Sequence, residues 1–358
     1  MSFERDNIRR MTGYTSGEQP LDPGTIKLNT NENPYPPSPG VQAALSNIDA
    51  ASLRRYPSPE ASAFVETAAS LHGVEPGNII ATRGGDELLR LVITTFVDPR
   101  DTIAMSDPTM LALPGVGADS GARTLKIPRE EDWRLPEDFA RQANAAGAKL
   151  TFIVNPHAPS GTLESCGRIA EFAHELDGLL LLDEAYVDFV EPAQCHNSIP
   201  LVRELDNVII LRSLSKGYAL AGLRFGYGIG PASLIDPMRS KTRDSYNLDA
   251  ISHQLSAAAL ADQDYASQTW QRIRVERERV GAALAELDMT APPSETNFLL
   301  VSVPETLPSA RNLYEGLEAD GILVRYFADD RLADKLRMTI GTPDENDRLL
   351  RSLRQLAK

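Results

Sequence analysis

Short apolar runs recur through the middle of the chain, with room for a helix between most of them. Ile79-Ile80-Ala81, Thr102-Ile103-Ala104-Met105, Leu150-Thr151-Phe152-Ile153-Val154, Leu179-Leu180-Leu181-Leu182 and Val208-Ile209-Ile210-Leu211 are apolar on consecutive positions. Runs without polar alternation predict strands buried on both faces. Amphipathic stretches predict helices near 39–47, 60–72, 88–96, 250–261 and 266–287. Strands alternating with helices imply an α/β fold, a mostly parallel sheet covered by helices on both faces. Beyond 266 the pattern changes: apolar segments at 297–301, 322–325 and 335–340 predict strands of a smaller α+β domain, closed by a terminal helix from Glu345. The first 40 residues are rich in Pro, Gly and Asn and have no core of their own, so they are expected to lie over another part of the protein or a neighbouring subunit. The expected organisation is an arm over 1–40, a large domain over 41–265 and a small domain over 266–358.

Each middle strand ends in a polar loop: Arg83-Gly84-Gly85-Asp86, Ser106-Asp107-Pro108, Asn155-Pro156-His157, Asp183-Glu184 and Ser213-Leu214-Ser215-Lys216. Ligands of open α/β sheets bind outside the carboxyl ends of the strands, so these loops are the candidate site. Lys216 follows a buried strand. It is either a surface loop lysine or a partly desolvated amine, and desolvation favours the neutral, nucleophilic form able to make a Schiff base. Asp183 emerges from four leucines and either caps the next helix or needs a buried partner; Tyr186 can reach the same space. Gly84 and Gly85 open a helix whose first N–H groups suit an anion or an ordinary cap. Ser213 and Lys216 also have the Ser-x-x-Lys spacing of a serine acyl-transfer enzyme, but the chain has no Ser-Asp-Asn and only Lys241-Thr242-Arg243 for Lys-Thr-Gly.

Composition narrows the field. Hydrophobic residues make up 42% of the chain, enough for a sizeable core. Thirty-six Lys and Arg against 50 Asp and Glu give a net charge of −14, the wrong sign for a nucleic-acid partner. The two cysteines, Cys166 and Cys195, have no metal-ligand spacing and suggest no disulfide framework. No apolar run approaches the ~18 residues of a membrane span, and the first residues lack a signal-peptide core. A cytoplasmic protein is expected.

Taken in order, Gly84-Gly85-Asp86, the 155–161 loop Asn-Pro-x-x-Pro-Ser-Gly, Asp183-Glu184-Ala185-Tyr186, Ser213-x-Ser215-Lys216 and Arg224 resemble the fold-type I pyridoxal-phosphate aminotransferases. Within that class the chain looks most similar to the histidinol-phosphate aminotransferases. Tyr14-x-x-Gly17-Glu18-Gln19-Pro20, Leu28-Asn29-x-Asn31-Glu32-Asn33-Pro34, Arg55-Tyr56-Pro57, Leu220-Ala221-Gly222-Leu223-Arg224, Tyr246-Asn247 and the segment Leu336 to Thr342 carry that likeness. Aromatic amino-acid aminotransferases and threonine-phosphate decarboxylases share several of these motifs. A cofactor-binding regulatory protein with an inactive site would need a DNA-binding module, for which there are no spare residues.

The resemblance implies a homodimeric enzyme passing an amino group between histidinol phosphate and 2-oxoglutarate in ping-pong fashion. Lys216 would be the Schiff-base lysine and then the general base. Asp183 would pair with the pyridinium nitrogen, and Tyr186 would bond the ring's phenolic oxygen. Gly84, Gly85, Asp86, Ser213, Ser215 and Arg224 would cradle the cofactor phosphate, joined by Tyr56 from the partner subunit. Arg337 would clamp the substrate anion, with Arg325 and Tyr14 completing a second anion site. Two positions depart from the family. Ala158 stands where an Asn usually precedes Pro159, so Tyr186 is expected to act alone or with His157 or Asn155. Met110 replaces the aromatic that usually stacks on the ring.

Overall fold

The computed structural model describes residues 3–9, 17–20, 22, 24–109 and 120–358. Tyr14 and Met110 lie outside them. The main sheet comprises β2 (Ile79–Thr82), β3 (Thr102–Asp107), β4 (Arg123–Pro128), β5 (Ala148–Val154), β6 (Leu179–Asp183), β7 (Val208–Ser213) and β8 (Gly226–Ile229). Its spatial order is β2-β8-β7-β6-β5-β3-β4, and β8 alone runs against the rest. Successive residues of the apolar runs go to opposite faces. Ala104, Ile153, Leu180, Leu182, Val208 and Ile210 pack beneath the helices Ser62–His72 and Cys166–Glu175. Ile103, Phe152, Leu181, Ile209 and Leu211 pack beneath the helix Gly84–Phe96 on the other face. Runs apolar at every position are what a sheet covered on both sides requires.

Two strands of the main sheet have no counterpart in the expected pattern. β4 is an edge strand whose Arg123, Thr124 and Lys126 face outward and whose Ile127 is buried, so it is too polar to register as an apolar run. β8 is Gly-Tyr-Gly-Ile, a sequence of low strand propensity, yet it is buried at every position between β2 and β7.

The C-terminal part is a three-stranded antiparallel sheet, β11 (Arg325–Tyr326), β12 (Lys335–Thr339) and β9 (Phe298–Ser302), in that order. The helices Gln263–Ala285, Ala310–Ala319 and Pro343–Leu356 pack on it around a core of its own, centred on Leu317, Leu336, Met338 and Leu353. The last helix begins at Pro343 rather than Glu345 because Thr342 and Glu345 form a reciprocal capping box. Near the start of the chain, β1 (Ile26–Lys27) runs parallel to β10 (Ile322–Leu323), and Ile26 and Leu28 enter this same core. That pairing carries residues 29–33 across the carboxyl ends of β6 and β7. Among the described residues, no helix is long and apolar enough to cross a membrane.

Candidate active site

A cavity of about 530 Å³ opens at the carboxyl ends of β6 and β7, lined by Thr30, Asp183, Ser213, Ser215, Lys216 and Arg224 among others. A larger, open cleft of about 1000 Å³ over Glu131, Arg134 and Glu137 contains none of the expected site residues. In the smaller cavity, Lys216 leaves the sheet three residues after β7. Its Nζ donates to the Thr30 carbonyl at 2.8 Å and lies 5.9 Å from the centre of the Tyr186 ring. Lys216 is half-buried on the cavity wall, and this desolvation, reinforced by the Arg337 charge, lowers its pKa from 10.5 to about 7. A half-buried amine close to neutrality fits the nucleophilic alternative better than an ordinary surface lysine.

Asp183 closes β6, and its carboxylate accepts the Ala185 N–H at 2.9 Å. Burial raises its pKa to about 7 against the pull of that bond, and the charges of Asp86 and Glu184 raise it further. The next residue, Glu184, points the other way into a closed network. Its carboxylate takes Arg212 at 2.7 Å, His196 at 3.3 Å and the Ser198 hydroxyl. The buried cost of its charge is outweighed by these partners, above all Arg212, so its pKa is lowered. His196 in turn shares a 3.2 Å contact with the Cys166 sulfur, and despite burial these bonds raise it to about 9. Consecutive carboxylates at the end of β6 thus differ in environment, Asp183 lining the cavity and Glu184 compensated by its partners.

Around the helix Gly84–Phe96 the chain is packed too tightly for side chains. Gly84 has φ +75°, and a Cβ there would come within 2.8 Å of Arg224 Nη2; one on Gly85 would press on Leu211 at 3.2 Å. Arg83 supplies no side-chain cap, so the first turn keeps unpaired N–H character beside Arg224. The Arg224 guanidinium reaches Ser215 Oγ at 3.5 Å and Asp86 at 3.3 Å. Ser213 Oγ accepts the Ser215 N–H at 3.1 Å. Two hydroxyls, a guanidinium and a helix start in one corner form a phosphate-sized donor set.

The 155–161 loop is arranged differently from expectation. His157 is fully buried, with Nδ1 at 2.7 Å from Ser160 Oγ and Nε2 at 3.0 Å from the Pro108 carbonyl. Both ring nitrogens are therefore committed within the loops, and His157 is corrected from a cofactor contact to a loop brace. Asn155 is likewise used up, exchanging two bonds with the Glu164 backbone at 3.0 and 2.8 Å. The group at the Tyr186 hydroxyl is Asn31, whose amide donates to it at 2.9 Å. Asn31 sits at φ +56° and is held by Thr339 and Asn297. Its only signal in the sequence was the Asn-Glu-Asn-Pro segment.

Two further arginines come from the C-terminal sheet, and the charge of one, Arg337, is felt at Lys216. Arg325 and Arg337 are directly opposite each other in the β11–β12 register. Arg337 is buried, donates to the Asn29 carbonyl at 2.9 Å and lies over the rings of Phe298 at 5.3 Å and Phe327 at 5.6 Å. Tyr56 stands apart, 81% exposed, its ring stacked on Tyr246 at 4.5 Å.

The family model for class I and II aminotransferases matches residues 23–353. The chain belongs to this aminotransferase family. Histidinol-phosphate aminotransferase 1 of Trichormus variabilis is 41% identical over 359 residues, covering 100% of this chain and 99% of its own. Histidinol-phosphate aminotransferase 1 of a Nostoc species is 40% identical over 357 residues, covering 99% and 98%. Among solved structures, histidinol-phosphate aminotransferase from Sinorhizobium meliloti, in complex with pyridoxal-5'-phosphate, superposes with a TM-score of 0.90 at 26% identity and covers 100% of this chain and 98% of that one. The architecture of this aminotransferase is fold type I, and its substrates are small molecules.

Proposed function

We propose that this aminotransferase transfers the amino group of histidinol phosphate to 2-oxoglutarate, using pyridoxal phosphate. The observation that carries the reading is a half-buried amine near neutrality within the field of the Arg337 guanidinium, with Arg325 opposite Arg337 in the strand register. Both proposed substrates bring an anionic group that these guanidinium groups can take. A guanidinium fork binds a phosphate or a carboxylate equally well. The residues present fit the cofactor. Lys216 would hold it covalently, Asp183 would face its ring nitrogen, and the Gly85–Asp86 turn, Ser213, Ser215 and Arg224 would take its phosphate.

Pyridoxal phosphate supplies the electron sink that lets a proton leave the substrate's Cα. The remaining work falls to the chain. Lys216 Nζ, half neutral near pH 7, takes that proton as base and returns one as acid. Asp183 needs a cation to stay ionised where burial resists its charge. Tyr186, steadied by Asn31, donates into the cavity, and the 29–33 segment with Thr30 closes it from water. Tyr56, with Tyr246, is read as reaching a neighbouring copy's site in a homodimer, and the chain as cytoplasmic. The division into an arm over 1–40 and domains over 41–265 and 266–358 belongs to the same proposal, with Tyr14 on the arm and Met110 beside the ring.

The test is glutamate formation from 2-oxoglutarate with histidinol phosphate, phenylalanine or threonine phosphate as donor. Histidinol phosphate is expected to give the largest kcat/KM, and Lys216→Ala to lower it by at least ~10³-fold. Wild-type rates in Lys216→Ala, or a preference for phenylalanine, would count against the proposal.

A further inference from the structure

Lys216 is held at both ends by segments from elsewhere in the chain. Its Nζ donates to the Thr30 carbonyl at 2.8 Å. The carbonyl of the next residue, Gly217, takes two donors: the Trp270 indole N–H at 2.7 Å and the Asn33 side-chain amide at 3.2 Å. Thr30 and Asn33 lie on the segment that β1 ties to the C-terminal core, and Trp270 lies on the helix Gln263–Ala285.

The turn that these donors hold has few bonds of its own. Gly217 has no side chain to anchor it, and one would strike the Asp188 carboxylate. Ala219 sits at φ +57°, a region that residues with a Cβ seldom take. Within the turn the Ala219 N–H reaches the Lys216 carbonyl at 3.4 Å, and the Leu220 N–H reaches the Leu214 carbonyl at 3.1 Å.

Both donors are themselves fixed. Trp270 packs against the parallel-sheet core and against the C-terminal core. Its ring meets Tyr218 edge-on at 5.5 Å, and the Tyr218 hydroxyl accepts the Gln263 amide at 3.0 Å. The Asn33 Oδ1 accepts the Tyr35 N–H at 3.0 Å, which leaves its Nδ2 turned toward Gly217. Neither residue is among those lining the cavity.

We propose that Trp270 and Asn33 are positioning residues for Lys216: by sharing the Gly217 carbonyl they fix the backbone of the turn, so that the Lys216 amine returns to one place each time it leaves the Thr30 carbonyl. The inference rests on the reading of Lys216 as the amine that holds the cofactor. An amine that must both bond the cofactor and move a proton depends on its placement, and an error of about 1 Å costs on the order of 10²-fold. Since the two residues stand outside the cavity, their loss acts on the amine and leaves the binding of anions unchanged.

The test uses Trp270→Phe, which keeps a ring between the two cores and removes the indole N–H, with Asn33→Ala and the two combined. Cofactor-free protein is mixed with saturating pyridoxal phosphate. The absorbance band that grows as the Lys216 amine condenses with the aldehyde and water leaves is followed in time. Measured beside it are kcat, thermal melts and the affinity of the loaded protein for glutarate, a dicarboxylate with no amino group. Each single substitution is expected to slow condensation and kcat about 3-fold, as loss of one hydrogen bond would. The two combined are expected to slow both about 100-fold, well beyond the product of the singles, because only then is the carbonyl released. Glutarate affinity is expected to stay within about twofold of wild type. If the phenylalanine variant does not fold, Asn33→Ala carries the test by its own threefold slowing. Unchanged condensation in Asn33→Ala or in the double variant, a double variant no slower than the product of its singles, or weakened glutarate binding with kcat intact would overturn the inference. Failure of wild type to use histidinol phosphate, with condensation still dependent on the two donors, would remove the proposed substrate and leave the positioning role standing. The same band growing in Lys216→Ala would remove both.

Discussion

At the scale of single residues, the site carries two groups whose charge states the fold opposes. Asp183 has its pKa raised from 3.8 to about 7 by burial, so the native state holds that proton more tightly than the unfolded chain does. Its contribution is therefore favourable below pH 4 and is lost as pH climbs through 7. Lys216 is the converse: lowered from 10.5 to about 7, it penalises the native state at neutral pH, and the penalty fades as pH rises toward 10.5. Replacing Asp183 by Asn keeps the acceptor for Ala185 and removes the charge. Cofactor-free Asp183→Asn should thus be more stable than wild type at pH 8, by on the order of 2–4 kcal/mol, with the gap narrowing at pH 5. Thermal melts at the two pH values check this; an equal or lower Tm at pH 8 would show that another cation compensates Asp183. Its amino-transfer activity should nevertheless fall at least ~10²-fold. Lys216 and Asp183 were legible because each follows a run of buried aliphatics. Asn31 and the Glu184 network were not, since neither a lone Asn in a Pro-rich segment nor a Glu beside an Asp reveals which way it points.

At the scale of elements, β8 shows what a residue pattern conceals. Gly226 and Gly228 are there because the strand is overlaid by the start of the helix Gly84–Phe96. A Cβ on Gly226 would come within 2.8 Å of the Gly84 backbone and 2.9 Å of the Gly85 nitrogen, and one on Gly228 within 2.9 Å of Leu88. Backbone cannot yield as a flexible side chain does. Gly226→Ala should therefore displace the turn that opens the helix and weaken retention of pyridoxal phosphate about 10-fold or more, while Gly77→Ala, whose Cβ meets nothing and which lies outside the cavity, should leave it unchanged. Equilibrium dialysis of the cofactor decides between them. Strand propensity gave no hint that these glycines form the one antiparallel member of the sheet.

At the scale of the whole molecule, Tyr56 and Tyr246 form an exposed aromatic stack. Aromatic pairs of this kind belong at interfaces. Sedimentation equilibrium is expected to give twice the 39.1 kDa chain mass, and Tyr56→Ala to reduce cofactor affinity with the subunit's melting temperature within a few degrees of wild type. A monomeric mass under assay conditions would remove the reading of Tyr56 as a residue shared between sites. The parallel pairing of β1 with β10 matters at this scale too. Through it, the early segment bearing Asn31 closes one wall of the cavity and joins the C-terminal core.

The apolar runs by themselves determined the strands covered on both faces, though not the edge strand β4, because a doubly covered position is not free to be polar, and the polar loops after them indicated where chemistry would gather. The tertiary structure alone decided which partners those loops meet. It bound both His157 nitrogens elsewhere, brought Asn31 to Tyr186 across 155 residues of chain, and set Arg325 against Arg337 over Phe327. Such contacts depend on strand register and packing between distant segments, and a linear pattern carries periodicity without recording which turn faces which.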